Sequence, residues 1–563
     1  MAHPLFDKHR ETLERALAAI AERAYWSAFP ESASPKVYGE GAAEAGKAAF
    51  DALRDHAFAM EPATSAGAPS GATAATRVGR ERSPFGFDLG VTYAPQDIDA
   101  LFAAIGKAEA QWRKAGPEAW VGVCIEILTR LNRESFLIAH SVMHTTGQAF
   151  MMAFQAAGPH AQDRGLEAVA YAYDQMRRVP ADAQWEKPQG KHDPIRMHKR
   201  FRVVPRGVGL VIGCCTFPTW NGYPGLFASL ATGNAVIVKP HPGAILPLAI
   251  SVRIARDVLA EAGFDPNVVT LVAHDAGDDT AQRLALRPEV KLIDFTGSPA
   301  NGNWLERNAH QATVFTEKAG VNQVIVDSTN DLAGLARNLA FSLSLYTGQM
   351  CTAPQNIYIP ATGIDTPDGH RSFDDVANAI AESVNKLLAD PARAVEILGA
   401  VQNDAIAARI DEARKLGGAV LDSTSIAHPQ YPEARIRTPL IVKLDAAERD
   451  KYLREWFGPI AFVVATRDTA QSLAIARDAV REQGALTLSV YSTRDDVIDA
   501  AIDVAEATGV ALSINLTGGV FVNQSAAFSD FHGTGANPAA NAALTDAAFV
   551  ASRFRVVQHR AHV

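Results

Sequence analysis

Apolar positions along this chain follow two rhythms, and the rhythm changes near residue 203. Over residues 95–176 they recur at helical spacing, which predicts helices with Trp112, Leu128, Leu131, Phe136 and Met143 in a core. Two shorter helical stretches precede them, over 7–25 and 44–58. Residues 62–76 are rich in Ala, Gly, Ser, Thr and Pro, a composition that buries too little apolar surface to order itself, so a linker or loop is expected there. Beyond the polar, basic segment 184–202, short apolar runs bounded by turn residues take over, at 208–212, 235–238, 268–272 and 291–295. Helical stretches at 245–262 and 279–286 lie between them. Strands alternating with helices predict βαβ units on a parallel sheet, with ligands beyond the carboxyl ends of its strands. A second α/β stretch starts near Thr316, with strands expected at 323–327, 356–359, 440–442 and 486–491, a helix over 332–346 and a last strand at 554–557.

Composition narrows this picture. A chain of 563 residues is too long for one compact core and implies two or three domains. Hydrophobic residues make up 48% and charged residues 20%, a globular balance. The net charge of −9 argues against a nucleic-acid binder, which needs a positive field. The four cysteines, Cys124, Cys214, Cys215 and Cys351, are too few for a disulfide framework and fit reduced thiols in the cytoplasm. There is no apolar run of membrane-spanning length and no apolar core in the first residues that reads as a secretory signal, so no membrane partner is expected.

Candidate chemistry begins at Gly348-Gln349-Met350-Cys351-Thr352, a cysteine at a turn that follows a predicted helix. Such a place exposes a thiol beside free backbone N–H groups, which suits a nucleophile whose adduct carries an oxyanion. A lone cysteine is more often a buried structural thiol, so the neighbours decide. Thr316-Glu317-Lys318-Ala319-Gly320 stands 34 residues before Cys351. These two motifs resemble the glutamate and cysteine motifs of the aldehyde dehydrogenases, at a similar spacing. Pro205 to Gly209 resembles that family's entry to its dinucleotide fold, and Gly233 to Pro240 resembles the strand that ends in the cofactor lysine, here Lys239. Phe295-Thr296-Gly297-Ser298 with Gly302 resembles the turn beneath the pyrophosphate. Glu455-Trp456-Phe457-Gly458-Pro459 resembles the segment that holds the nicotinamide ribose. Any one motif is weak, but six in order are a strong signal.

The resemblance implies an α/β fold with a Rossmann-type cofactor domain (91–180 and 203–315), an α/β catalytic domain (316–534) and a β oligomerisation arm (181–202 and 535–563). A helical extension (1–90) precedes them. It implies aldehyde oxidation with Cys351 as nucleophile and Glu317 as general base. Lys239, Gly297, Ser298, Gly302, Glu455 and Phe457 would bind the cofactor, no metal would be involved, and the chain would form a homodimer or homotetramer.

Two departures carry information. The family's acidic residue three positions after the lysine is replaced by Pro242, which removes a ribose 2′-hydroxyl acceptor and a source of repulsion against a 2′-phosphate. NADP is therefore expected over NAD, with His241 near the phosphate. The family's oxyanion asparagine is replaced by Thr216, so Thr216, or another donor such as Asn221, has to serve. The stretches Thr216 to Gly225 and Ser525 to Gly535 resemble the phenylacetic acid degradation proteins of the PaaN type, which implies a CoA-linked semialdehyde substrate and a separate hydratase partner. Three other readings stay open: a CoA-acylating aldehyde dehydrogenase, against which Glu317 counts; a low-activity cofactor-binding scaffold, which Thr216 keeps alive; and, more distantly, a cysteine hydrolase, for which no Cys/His/Asn arrangement stands out near Cys351.

Overall fold

The computed structural model describes residues 3–60, 77–318 and 320–563. The linker expected at 62–76 lies outside the described residues. The two sequence rhythms correspond to two sheets and a helical layer. The first sheet is parallel throughout, in the order Val269–Leu271, Val236–Lys239, Val208–Ile212, Val290–Gly297, Thr313–Lys318. Every residue of Val208–Ile212 and Val236–Lys239 is buried, as expected of parallel strands covered on both faces. Helices Pro218–Ala231 and Leu246–Glu261 return the chain between its strands.

The second sheet has seven strands: Gly418–Leu421, Leu440–Asp445, Ile460–Thr466, Asn356–Pro360, Gln323–Val326, Thr487–Tyr491 and Ala511–Ile514. Its pairs are parallel except for the outermost strand, Gly418–Leu421, which runs antiparallel to its neighbour. A three-stranded antiparallel sheet, Asp182–Gln189, His192–Pro205 and Phe554–His562, forms an arm. The basic stretch Arg196 to Arg202 lies on its middle strand, where Arg196 pairs with Glu186 in solvent.

Helices Ile98–Ala115, Pro117–Arg133, Ser135–Thr146 and Ala161–Arg177 follow the helical rhythm, and the five expected core side chains are all buried. Residues 3–60 pack onto this layer. A Cβ on Gly122 would meet the Phe6 backbone N at 2.4 Å, so only glycine lets helix Pro4–Lys8 lie this close. His9 and Lys8 reach Glu126, and Asp163 accepts bonds from Ser27 Oγ and the Ala28 N–H. Among the described residues no helix is long and apolar enough to cross a membrane.

Candidate active site

One cavity of about 680 Å³ lies between the carboxyl end of the first sheet and the amino end of the second, where the loops that lead into Asn356–Pro360 and Ile460–Thr466 carry Cys351 and Glu455. On its first wall stand Lys239, at the end of Val236–Lys239, and Gly297 and Ser298, at the turn into helix Pro299–Asn308. Ser298 caps that helix, its Oγ accepting from the Asn301 N–H, so the helix's positive end opens on the cavity and suits an anion. Gly302 does not line the cavity. A Cβ there would meet the Lys318 side chain at 2.6 Å, so its role is close packing beneath the turn. Lys239 is 5% exposed, and burial, opposed by the charge of Asp278, pulls its pKa down to about 8. A cation under that penalty is stabilised by an incoming anion, so this wall fits a dinucleotide's phosphates.

His241 lines the same wall, but burial, with Lys239 and His274 adding repulsion, pulls its pKa down to about 4. Its Nδ1 accepts from the Gly243 N–H, so a neutral ring carries its proton on Nε2, which can donate one bond to a phosphate without bringing a charge. Pro242 lines the cavity beside it. On the opposite wall Glu455 and Phe457 enter from the loop after Tyr452. Gln355 holds that loop by accepting from the Trp456 N–H, and Arg409 donates to the Phe457 carbonyl at 2.5 Å. Burial lifts the Glu455 carboxyl to about 7, against the pull of Arg409.

The floor of the cavity carries the thiol and its neighbours. Helix Leu332–Ser344 ends in a tight turn in which Tyr346, Thr347 and Gly348 are successive left-handed residues, with φ of 52°, 53° and 60°. For Tyr and Thr this is strained, and it persists because both side chains are tied down. Tyr346 Oη donates to the Thr146 carbonyl and Thr347 Oγ to the Leu398 carbonyl. A Cβ on Gly348 would meet the Gly458 carbonyl at 2.6 Å. Cys351 follows, half-buried, its carbonyl fixed by Asn322 Nδ2 at 2.8 Å. The same Asn322 accepts the backbone N–H groups of Leu486 and Thr487, so one side chain ties the cysteine loop to the second sheet.

Glu317 comes from the other sheet, near the end of edge strand Thr313–Lys318, which residues 539–541 cover by backbone bonds. Its carboxylate is 4% exposed. Asn221 Nδ2 reaches both carboxylate oxygens at 3.3 Å, and His532 Nε2 lies 3.1 Å from Oε1. Burial alone would push this carboxyl up. The charge and hydrogen bond of His532, with bonds from Cys351 and Asn221, outweigh burial and hold it below its ordinary value. Burial, then the charge of Glu317, pushes the Cys351 thiol well above its ordinary value. Both causes favour the thiol over the thiolate at Cys351.

Thr216 is 9% exposed and lines the cavity, its backbone carbonyl held by Gln148 Nε2. Asn221, the other expected oxyanion donor, is committed instead to Glu317 and accepts from Cys214 Sγ at 3.7 Å. Sequence reasoning missed His532, although it lies in the Ser525 to Gly535 stretch. Its Nε2 is 3.8 Å from Cys351 Sγ across 181 residues of chain. Ligand atoms of Glu317, Cys351 and His532 all lie within 4.8 Å of one another, a spacing that could hold a metal ion and equally serves as a closed hydrogen-bonded group.

The fold and cavity define a class: two α/β units sharing one cleft, with an anion-binding slot on one side and a thiol beside a buried carboxylate on the other. The model of the family described as "Aldehyde dehydrogenase family" matches residues 91–536, and the chain belongs to that family. A crystal structure described as an NAD-dependent aldehyde dehydrogenase from Burkholderia multivorans is 67% identical, with all of both chains covered and a TM-score of 0.97. A putative methylmalonate-semialdehyde dehydrogenase from Sinorhizobium meliloti 1021, complexed with NAD, shares the fold at 17% identity, covering 87% of this chain and 95% of that one, with a TM-score of 0.69. Among curated proteins, "Aldehyde dehydrogenase LUC3" of a Fusarium species is 24% identical over 71% of this chain and 79% of its own length.

Proposed function

We propose that this chain oxidises an aldehyde to a carboxylic acid through a thioester on Cys351. The observation that carries the reading is that Cys351, Glu317, Lys239, Ser298 and Glu455 line one cavity, with a thiol and a carboxylate at its floor and an anion slot along its wall. Cys351 Sγ attacks the aldehyde carbon and gives a thiohemiacetal whose oxyanion takes a bond from Thr216 or a backbone N–H. A bound nicotinamide dinucleotide supplies the hydride acceptor. Lys239 and the N-terminus of helix Pro299–Asn308 hold its phosphates, and Glu455 and Phe457 hold its nicotinamide ribose and ring. Glu317 then takes a proton from water, which cleaves the thioester. The retained carboxylate favours water over CoA as the acyl acceptor.

The lack of a carboxylate at Pro242 supports acceptance of NADP. The NAD dependence named for the Burkholderia structure favours NAD. The site is read as one that uses NAD and admits NADP. The Thr216 and Ser525 motifs favour a CoA-linked semialdehyde of phenylacetate breakdown, with ring hydration left to a separate protein. The first sheet with the helical layer is read as the cofactor domain, the second sheet as the catalytic domain. The three-stranded arm, with Val556 and Val557 exposed, is read as the surface that joins subunits into a dimer or tetramer.

The test is NAD(P)H formation at 340 nm, with each cofactor and a panel of aldehydes including a CoA-linked semialdehyde. Turnover that vanishes in Cys351→Ala supports the reading. A protein that binds the dinucleotide but turns over no aldehyde is a scaffold instead.

A further inference from the structure

The residues around His532 form a chain of hydrogen bonds whose direction can be worked out. Arg164, fully buried, points Nη2 at Ser525 Oγ, 3.2 Å away. A guanidinium can only donate, so Ser525 Oγ accepts and its own proton is free to turn elsewhere. The Ser525 hydroxyl lies 3.4 Å from His532 Nδ1. A carboxylate only accepts, so the 3.1 Å approach of Glu317 Oε1 requires that Nε2 carry an N–H, whichever way the Ser525 hydroxyl turns. Trp220 packs edge-on against the imidazole at 4.6 Å and fixes its plane. The Nε2–H is then aimed at two atoms, Glu317 Oε1 at 3.1 Å and Cys351 Sγ at 3.8 Å.

A donor shared between a carboxylate and a thiol has a use when a proton moves between them. With the proton on sulfur, the carboxylate is the anion and takes the N–H bond. When the Sγ–H bond breaks and the proton forms an O–H on Glu317, the charge moves to sulfur, and the same N–H can turn to the thiolate without ring motion. No electron is gained or lost, and no other reactant is needed. Hydrogen bonds to the charged member of a pair are the strong ones, so the donor stabilises whichever atom holds the charge.

We propose that His532 is a further catalytic residue of this site: the Nε2–H donor that passes from Glu317 to Cys351 as the thiolate forms, oriented by Ser525 and Arg164. The inference rests on the reading of Cys351 as nucleophile and deepens it. It also accounts for how a thiol held neutral by burial can react, with Glu317, His532 and Cys214 as the titratable groups that face it and Arg164 reaching it only through Ser525.

The experiment is the rate of Cys351 alkylation by iodoacetamide from pH 6 to 10 in the full-length protein, with a chelator present, followed by intact mass. The expected result for His532→Leu is about tenfold slower alkylation near pH 7.5 and a pH profile displaced upward by about one unit, as for loss of one bond to a charged group. His532→Gln, whose amide can donate, should recover part of the rate. Ser525→Ala, which touches neither reacting atom, should show a smaller upward displacement. An unchanged profile in His532→Leu, with dinucleotide binding intact to show that the site is folded, overturns the proposal. Aldehyde oxidation that persists in Cys351→Ala shows instead that the nucleophile itself was misassigned, so the two failures are separable.

Discussion

The slot wall and the reacting floor of the cavity are built by opposite rules. The wall proposed to take the phosphates is local: Lys239, Gly297 and Ser298 sit within a residue or two of strand ends, and each shares a short motif with the turn that positions it. The floor is assembled from far apart in sequence. Asn221 comes from a helix of the first domain, Glu317 from an edge strand, Cys351 from a strained turn and His532 from the C-terminal loop. A local wall depends on backbone geometry and tolerates change elsewhere. A floor made of four segments depends on each of them, and small displacements there are costly.

That contrast orders the expected effects. Cys351→Ala removes the only atom proposed to carry the acyl group, and aldehyde oxidation should fall by about a thousandfold or more, while dinucleotide binding by fluorescence titration stays unchanged. Loss of both together would place the cysteine in the slot wall's support and dissolve the contrast. Glu317→Gln should slow turnover by about a hundredfold or more, with a slowed burst of NAD(P)H before the steady phase, because solvent can replace Glu317 as acceptor of the thiol proton while thioester hydrolysis loses its base. Absence of a burst would mean that no other acceptor replaces Glu317 in forming the thiolate. Gly348→Ala drives a methyl into the Gly458 carbonyl and displaces the cysteine turn, so kcat should fall by roughly tenfold to a hundredfold with the dinucleotide Kd unchanged.

The smallest effect belongs to the wall. Lys239 has its folded pKa lowered to about 8, so its charge is present below that pH and lost as pH rises through it. An anionic dinucleotide favours the charged form, so NAD affinity should weaken by about tenfold between pH 7 and pH 9.5. Lys239→Met should bind weakly and show little of that pH dependence. Equal pH dependence in both proteins would assign the titration to Glu455, whose carboxyl burial lifts to about 7.

The same division explains what the sequence revealed. Strands Val208–Ile212, Val236–Lys239 and Asn356–Pro360 were legible because apolar runs bounded by Gly, Pro or Asn have few other uses. Ile460–Thr466 is as apolar, but it follows directly on the Gly458-Pro459 turn of the ribose motif and was absorbed into it. Gly418–Leu421 and Ala511–Ile514 are half-exposed edge strands, rich in Ala, Gly and Ser, with little periodic signal. That Cys351 and Glu317 share one cavity was legible from motif and spacing. His532 was not, because 181 residues separate it from the sulfur and nothing in a Ser-Asp-Phe-His-Gly string says which way its ring points. Asn221 looked like a free amide beside Thr216, and only its distance to Glu317 commits it elsewhere. The fall in the Glu317 pKa was likewise hidden: burial was foreseeable, but the donors that outweigh it were not.

The most direct test of the central claim is the intact mass of Glu317→Gln after mixing with NAD and an accepted aldehyde. The account predicts one added acyl group on Cys351, formed with one equivalent of NADH, sensitive to hydroxylamine and absent from Cys351→Ala. NADH produced at full rate with no adduct at Cys351 would contradict it.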